Sequence, residues 1–256
     1  QAIREMADFQ EKRGSELCLS MKSIKLFQRS EPFDLGVNKG EVLGVVGLLG
    51  SGKSELARGI YGADKFLDGS MELGGAAFQP STPAAAIKKK VYLIPEDRAA
   101  ESMLPGWSIA RTVSLPFLNQ FSSGFVLSFT AERGEGQRII DDLGVVATGP
   151  DQDVDALSGG NQQKIVVGRW LQGNPQLLLL DEPFRGVDIG ARREISRKAR
   201  SVAAEGNAVM VLTSDIDEAL EVADRILVLV DGEARFDSYV SQTSREQILS
   251  KMSEVA

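Results

Sequence analysis

Two short stretches of this 256-residue chain carry reactive residue types at spacings that would let them act together. The first is Gly47-Leu48-Leu49-Gly50-Ser51-Gly52-Lys53-Ser54, which fits the phosphate-loop pattern G-x-x-x-x-G-K-[ST]. Glycines at 47, 50 and 52 let the backbone turn tightly and come close to a ligand. Consecutive N–H groups, Ser51 included, then face the phosphates, and the next helix adds its positive end. Lys53 would reach the β- and γ-phosphates, and the Ser54 hydroxyl would sit on Mg²⁺. Glu55 opens the helix and completes this set of nucleotide-binding residues. The second stretch is Leu177-Leu178-Leu179-Leu180 running into Asp181-Glu182. An apolar strand that ends in two acids delivers carboxylates to the C-terminal edge of a sheet, where open α/β folds bind ligands. Asp181 would hold Mg²⁺, and Glu182 would orient or deprotonate an attacking water. Each stretch has a plainer reading, as a Gly-rich turn or a charged turn. The coincidence of strand, loop and helix around Lys53 favours the chemical one.

The elements that must position these groups follow from apolar patterning. Val42–Val46 reads as a buried strand ahead of the loop, with a helix from Glu55 to about Tyr61 stopped by Gly62. Strands are expected near Leu17–Phe27, Pro32–Val37 and Gly69–Phe78, at Val91–Ile94 closed by Pro95, and at Val209–Leu212. From Glu96 to Leu171 helical spacing dominates, which suggests a mainly helical subdomain inserted between core strands. A helix is expected from Gly190 to about Ala204 and a short one near Asp217–Val222. Asp231-Gly232 between Arg225–Val230 and Glu233–Phe236 signals a hairpin, and Ser244 opens a closing helix. Strands apolar at nearly every position, alternating with helices, imply a largely parallel sheet covered on both faces.

Composition narrows the class. Apolar residues make up 43% and charged residues 25%, as in ordinary globular chains. The net charge of −7 argues against a broad nucleic-acid interface, which needs a basic face. The single cysteine, Cys18, excludes an internal disulfide, and the absence of histidine removes it from every catalytic role. The first thirteen residues are polar and mixed in charge. They are expected to be a linker in a piece of a longer polypeptide, with one domain over 14–256.

A third motif specifies the machine. Leu157-Ser158-Gly159-Gly160-Asn161-Gln162-Gln163-Lys164, with Ser158 placed as a helix N-cap, closely resembles the LSGGQ signature of ATP-binding-cassette (ABC) ATPases. Its place between the phosphate loop and Asp181-Glu182 also matches that family. The resemblance covers nearly the whole chain from about residue 17. It implies a P-loop NTPase core (14–95 and 172–256) with a mainly parallel sheet, an antiparallel β subdomain and a helical subdomain (96–171). It implies ATP and Mg²⁺ as ligands and a second cassette as partner, because two cassettes sandwich two nucleotides head to tail. Ser158, Gly159, Gly160 and Gln162 would then act on the partner's nucleotide. Gly186-Val187-Asp188 resembles the D-loop that communicates across that interface. Asn161, the run from Asp181 to Ala191 and Pro95-Glu96-Asp97-Arg98 narrow the resemblance to the C-terminal half of tandem ATPases of bacterial monosaccharide importers. That implies an N-terminal cassette in the same polypeptide, a membrane permease, an indirect link to a periplasmic solute-binding protein, and a place on the cytoplasmic face of the inner membrane.

The chain departs from an ordinary cassette at two sensors of the γ-phosphate. Glu96 stands where most cassettes have a Gln; it can still bind Mg²⁺ but brings negative charge. Asp215 stands at the switch-His position, where an aspartate cannot donate a hydrogen bond at neutral pH. Asp215 also reads as a helix N-cap with Glu218 three residues on. The family usually has Thr at Phe184, and either Phe27 or Phe33 is a candidate to stack on adenine, with a core role the more ordinary reading. An importer ATPase with slow chemistry at its own site competes with a purely regulatory nucleotide-binding module. A soluble cassette acting on nucleic acid fits the acidic balance poorly, and a simple P-loop kinase has no use for Leu157–Lys164.

Overall fold

The computed structural model describes residues 16–124 and 126–253, so the expected linker lies outside the described residues. In chain order the strands are β1 (Leu17–Lys25), β2 (Phe33–Asn38), β3 (Val42–Val46), β4 (Asp68–Leu73), β5 (Ala76–Ala77) and β6 (Val91–Ile94), then β7 (Ser122–Ser123), β8 (Val126–Leu127), β9 (Leu177–Asp181), β10 (Ala208–Thr213), β11 (Arg225–Val230) and β12 (Glu233–Tyr239). A six-stranded sheet runs β12-β11-β3-β10-β9-β6. Its pairs are parallel except the β11–β12 hairpin, whose turn residues Asp231 and Gly232 both take positive φ. A four-stranded antiparallel sheet, β2-β1-β4-β5, makes a second layer.

Parallel strands are buried on both faces, and here successive residues feed opposite cores. Leu178, Leu180, Val209 and Val211 face one apolar cluster with the helices. Leu177, Leu179, Met210 and Leu212 face the other, shared with the antiparallel sheet. All four leucines of β9 are fully buried, each worth about 1.5–3 kcal/mol relative to an exposed side chain. The strand that presents Asp181 is therefore among the firmest parts of the fold.

The phosphate-loop helix spans Lys53–Tyr61 and buries Leu56, Ala57 and Ile60. It stops at Gly62, whose φ of +75° suits glycine, while the Ala63 N–H returns to the Arg58 carbonyl. A helix over Pro83–Lys88 escaped the sequence reading because it is only six residues long, yet Thr82 caps it and Pro83 occupies its first turn. Between Glu96 and Leu171 the backbone is mainly helical, as expected, with Ile109–Ser114, Phe129–Asp142 and the signature helix Gly159–Leu171 as its main pieces. The exception is a small hairpin, β7–β8, at the Ser122-Ser123-Gly124 break. The signature helix is tied to the main sheet through Trp170, which stacks on Tyr92 of β6 at 5.1 Å. No helix among the described residues is long and apolar enough to cross a membrane.

Candidate nucleotide site

Register places the site. In the parallel sheet Thr213 pairs with Val46, Leu212 with Asp181, and Leu180 with Ile94. The residues that follow β3, β6, β9 and β10 therefore emerge along one edge, the C-terminal edge where such sheets bind ligands. A cleft of about 640 Å³ opens there, lined by Gly50 to Glu55, Glu96, Glu182, Arg185, Ser214, Asp215 and Glu218, with Leu49 at its rim.

The loop itself is shaped for close approach. A Cβ on Gly47 would lie 2.3 Å from Ser51 Oγ and 2.5 Å from the Leu229 carbonyl. Gly50 and Gly52 have φ of +81° and +103°. Gly52 is the N-cap and offers no side chain to the helix, so the first-turn N–H groups stay available to an anion. Lys53 is 6% exposed. Its Nζ donates to the Gly47 carbonyl at 2.6 Å and the Leu48 carbonyl at 3.2 Å, and lies 3.7 Å from Glu182 Oε1. Glu55 is exposed on the first helical turn. Beside phosphate its carboxylate would repel, which leaves its backbone N–H as the group suited to an anion.

Asp181 is 3% exposed, and one carboxylate oxygen, Oδ1, has no hydrogen-bond partner among the described residues. Burial pushes its carboxyl up to about 6; the Glu182 and Glu96 charges push the same way, while the Ser54 hydroxyl and Lys53 pull back. An orphaned buried carboxylate oxygen next to a hydroxyl is the donor set a hard divalent cation takes. Asp181 and Ser54 thus fit Mg²⁺. Glu96 also lines the cleft, but its carboxylate is paired with the Arg185 guanidinium.

Glu182 adopts φ of +45°, rare for a residue with a side chain and costing roughly 1–3 kcal/mol. Its N–H donates to the Leu212 carbonyl at 2.8 Å, which holds the bend at the strand end. The fully buried Thr213 hydroxyl lies 3.3 Å from Glu182 Oε2 and 2.7 Å from Glu218 Oε2. With one proton to give, it serves Glu218 at the shorter distance and leaves Glu182 facing Lys53 and the cleft. Burial raises the Glu218 carboxyl above its ordinary value.

Asp215 is an N-cap, accepting from the N–H groups of Asp217 at 2.8 Å and Glu218 at 3.2 Å. The reciprocal half of a capping box is missing. The Asp215 N–H goes to Thr213 Oγ1 at 3.2 Å, and the Glu218 side chain goes to the same hydroxyl. Phe184 is buried in the core beneath the Arg192 guanidinium. Phe27 and Phe33 are half-buried against the core and neither lines the cleft.

Ser158, Gly159, Gly160 and Gln162 do not line the cleft. Ser158 stands at the N-cap of the signature helix, but its hydroxyl makes no cap hydrogen bond. Instead it accepts from Asn161 Nδ2 at 3.0 Å, and Asn161 Oδ1 accepts from the Val146 N–H at 3.1 Å. The hydroxyl proton of the exposed Ser158 is left to donate outward. Gly160 lies against the D-loop-like segment, where a Cβ would come 2.9 Å from Asp188 Oδ2, and Asp188 itself caps the helix Ile189–Ala204. Gln162 is turned inward to the Val154 carbonyl at 3.3 Å. Sequence reasoning missed Ser214, Arg185 and Glu218 as parts of the cleft. Only their position within a few residues of the ends of β9 and β10 signals them.

A sequence profile for the family described as ABC transporter matches residues 31–185. The chain belongs to the ABC transporter family. The cassette is 36% identical over 249 residues to a putative ribose/galactose/methyl galactoside import ATP-binding protein of Agrobacterium fabrum, covering 96% of this chain and 50% of the relative. The ribose import ATP-binding protein RbsA of Bacillus cereus is 36% identical over 92% of this chain and 48% of its own. The arabinose import ATP-binding protein AraG of Pectobacterium atrosepticum is 35% identical over 91% and 46%. The cassette spans about half the length of the curated relatives it matches. In fold it resembles the dimeric, ADP- and phosphate-bound cassette MJ0796, with a TM-score of 0.73 at 22% identity over 87% of this chain and 98% of that one. It also resembles the cassette MJ1267, with a TM-score of 0.76 at 20% identity over 92% and 98%.

Proposed function

We propose that this cassette binds Mg-ATP in the cleft built on Lys53 and, paired with a second cassette, energises import of a sugar or sugar-like solute through a membrane permease. The observation that carries this reading is the meeting of Lys53, Ser54, Asp181 and Glu182 at one sheet edge. Loop N–H groups and Lys53 would bind the phosphates, and Ser54 with Asp181 would hold Mg²⁺. A cation held there supplies neutralisation of charge on the β- and γ-phosphates. Glu182 would orient the attacking water, its carboxylate kept near Lys53 and clear of Glu218's hydrogen bond. Ser158, with its free hydroxyl proton, and the Gly159–Gly160 helix start would serve the nucleotide of the other cassette. Relatives named as sugar-import ATP-binding proteins, about twice as long as this chain, support the sugar class and a second cassette in the same polypeptide. The periplasmic solute-binding protein enters only indirectly, nucleic acid has no part, and the site of action is the cytoplasmic face of the bacterial inner membrane.

A second reading is favoured by two side chains. Asp215 is committed to capping a helix, and Glu96 to Arg185. Neither is placed as a γ-phosphate sensor, so the cleft binds ATP but turns it over slowly, and this half acts chiefly as clamp and as completion of the other site. Losing one positioned donor typically costs ~10²–10³ in rate. Calorimetric titration of this chain with Mg-ATP tests the shared premise. One saturable site is expected, and no saturable binding at millimolar nucleotide would contradict it.

A further inference from the structure

The cleft's charges are unbalanced for its proposed ligand. Glu55, Glu96, Glu182, Asp215 and Glu218 line it, against two cations, Lys53 and Arg185. Lys53 is held deep in the loop by the Gly47 and Leu48 carbonyls. Arg185 is different. Its side chain is 70% exposed and its charge partner is Glu96. Its backbone is fixed: the N–H donates to the Glu182 carbonyl at 3.2 Å, and Arg98 Nη1 donates to the Arg185 carbonyl at 3.1 Å. The root of this exposed guanidinium is thus anchored three residues beyond Glu182, at the mouth of the cleft.

We propose that Arg185 is the cation that binds the γ-phosphate in this cassette, distinguishing a triphosphate from a diphosphate, and that Glu96 is its counter-ion before nucleotide arrives. The inference rests on the nucleotide-site reading and assigns Glu96 a role other than holding Mg²⁺. The exchange is physically easy. A solvent-exposed ion pair contributes little net stability, so little is lost when Glu96 releases the guanidinium. A phosphate takes an arginine through two parallel hydrogen bonds, the stronger arrangement. The pair also explains how a carboxylate is accommodated at position 96, since an arginine stands ready to neutralise it. Arg185 thereby supplies a donor at a cleft whose positions 96 and 215 carry acids.

The test is equilibrium titration of the whole chain with Mg-ADP and with a non-hydrolysable imido analogue of ATP. Arg185→Gln is expected to weaken the analogue ~10-fold or more while leaving Mg-ADP within about threefold. Arg185→Lys restores part of the loss, because charge returns without the two-pronged geometry. Glu96→Gln tightens the analogue, by freeing the arginine, and does so with or without Mg²⁺. Equal weakening of both nucleotides in Arg185→Gln, or no change in either, would overturn the proposal. So would a Glu96→Gln variant that weakens the analogue only when Mg²⁺ is present, which would make Glu96 a metal ligand. Lack of binding of either nucleotide by the unaltered chain would overturn the nucleotide-site reading itself. Thermal melts of each variant with Mg-ADP report folding separately from discrimination.

Discussion

Lys53→Ala is expected to lower Mg-ATP affinity by ~10²–10⁴-fold, read as loss of the calorimetric isotherm. Two hydrogen bonds to phosphate at ~1.5–3 kcal/mol each give that range. The lysine is already immobilised at the loop carbonyls and almost wholly buried, so little side-chain entropy is spent on binding. The change also strips Glu182 of the cation 3.7 Å away, which leaves a half-buried carboxylate facing incoming phosphate. Attraction is lost and repulsion is exposed at once. A variant that binds Mg-ATP within threefold of the unaltered chain would remove the phosphate loop from the account.

Asp181→Asn is expected to stabilise the nucleotide-free cassette while abolishing the Mg²⁺ dependence of nucleotide binding. Burial raises the folded-state value of this carboxyl to about 6, against ~3.9 for an unperturbed aspartate. The folded state therefore binds more protons than the unfolded state between those values. Stability falls as pH rises from about 4 to about 6 and stays lower above it, by up to ~3 kcal/mol from two pK units. Asparagine keeps the shape and removes the charge. At pH 8 the variant should melt ~5–10 °C higher, and the gap should shrink toward pH 4. Thermal unfolding at the two pH values without nucleotide checks this. A variant less stable than the unaltered chain at pH 8 would show that the Asp181 charge is satisfied without a cation.

The parts of the site legible in the sequence are those made by contiguous residues. Strand, glycine loop and helix around Lys53 are one local unit, and the four leucines before Asp181 announce both a buried strand and its acidic end. The hairpin at Asp231-Gly232 is equally plain because its turn chemistry is local. The rest depends on register between strands far apart in sequence. Thr213 reaches Glu182 because β10 lies between β3 and β9, an order no periodicity encodes. Arg185 belongs to the cleft because it folds back on Glu96, eighty-nine residues earlier. Spacing places Ser158 at the N-cap, where it stands, but its hydroxyl accepts from Asn161 instead of a helix N–H, a competition between neighbouring polar side chains that spacing does not resolve. The Pro83–Lys88 helix is too short for apolar periodicity to mark, although Thr82-Pro83 is a good helix start.

In the proposed division of labour, this cassette's own cleft holds Mg-ATP and its signature segment serves the site on the other half. The most direct measurement is steady-state ATP turnover of Glu182→Gln in the full polypeptide carrying both cassettes, assembled with its permease. Turnover is expected to be largely retained, since positions 96 and 215 carry acids that donate nothing to the γ-phosphate and the chemistry runs chiefly at the partner's site. Turnover near zero would contradict it and make the Lys53 cleft a working catalytic centre.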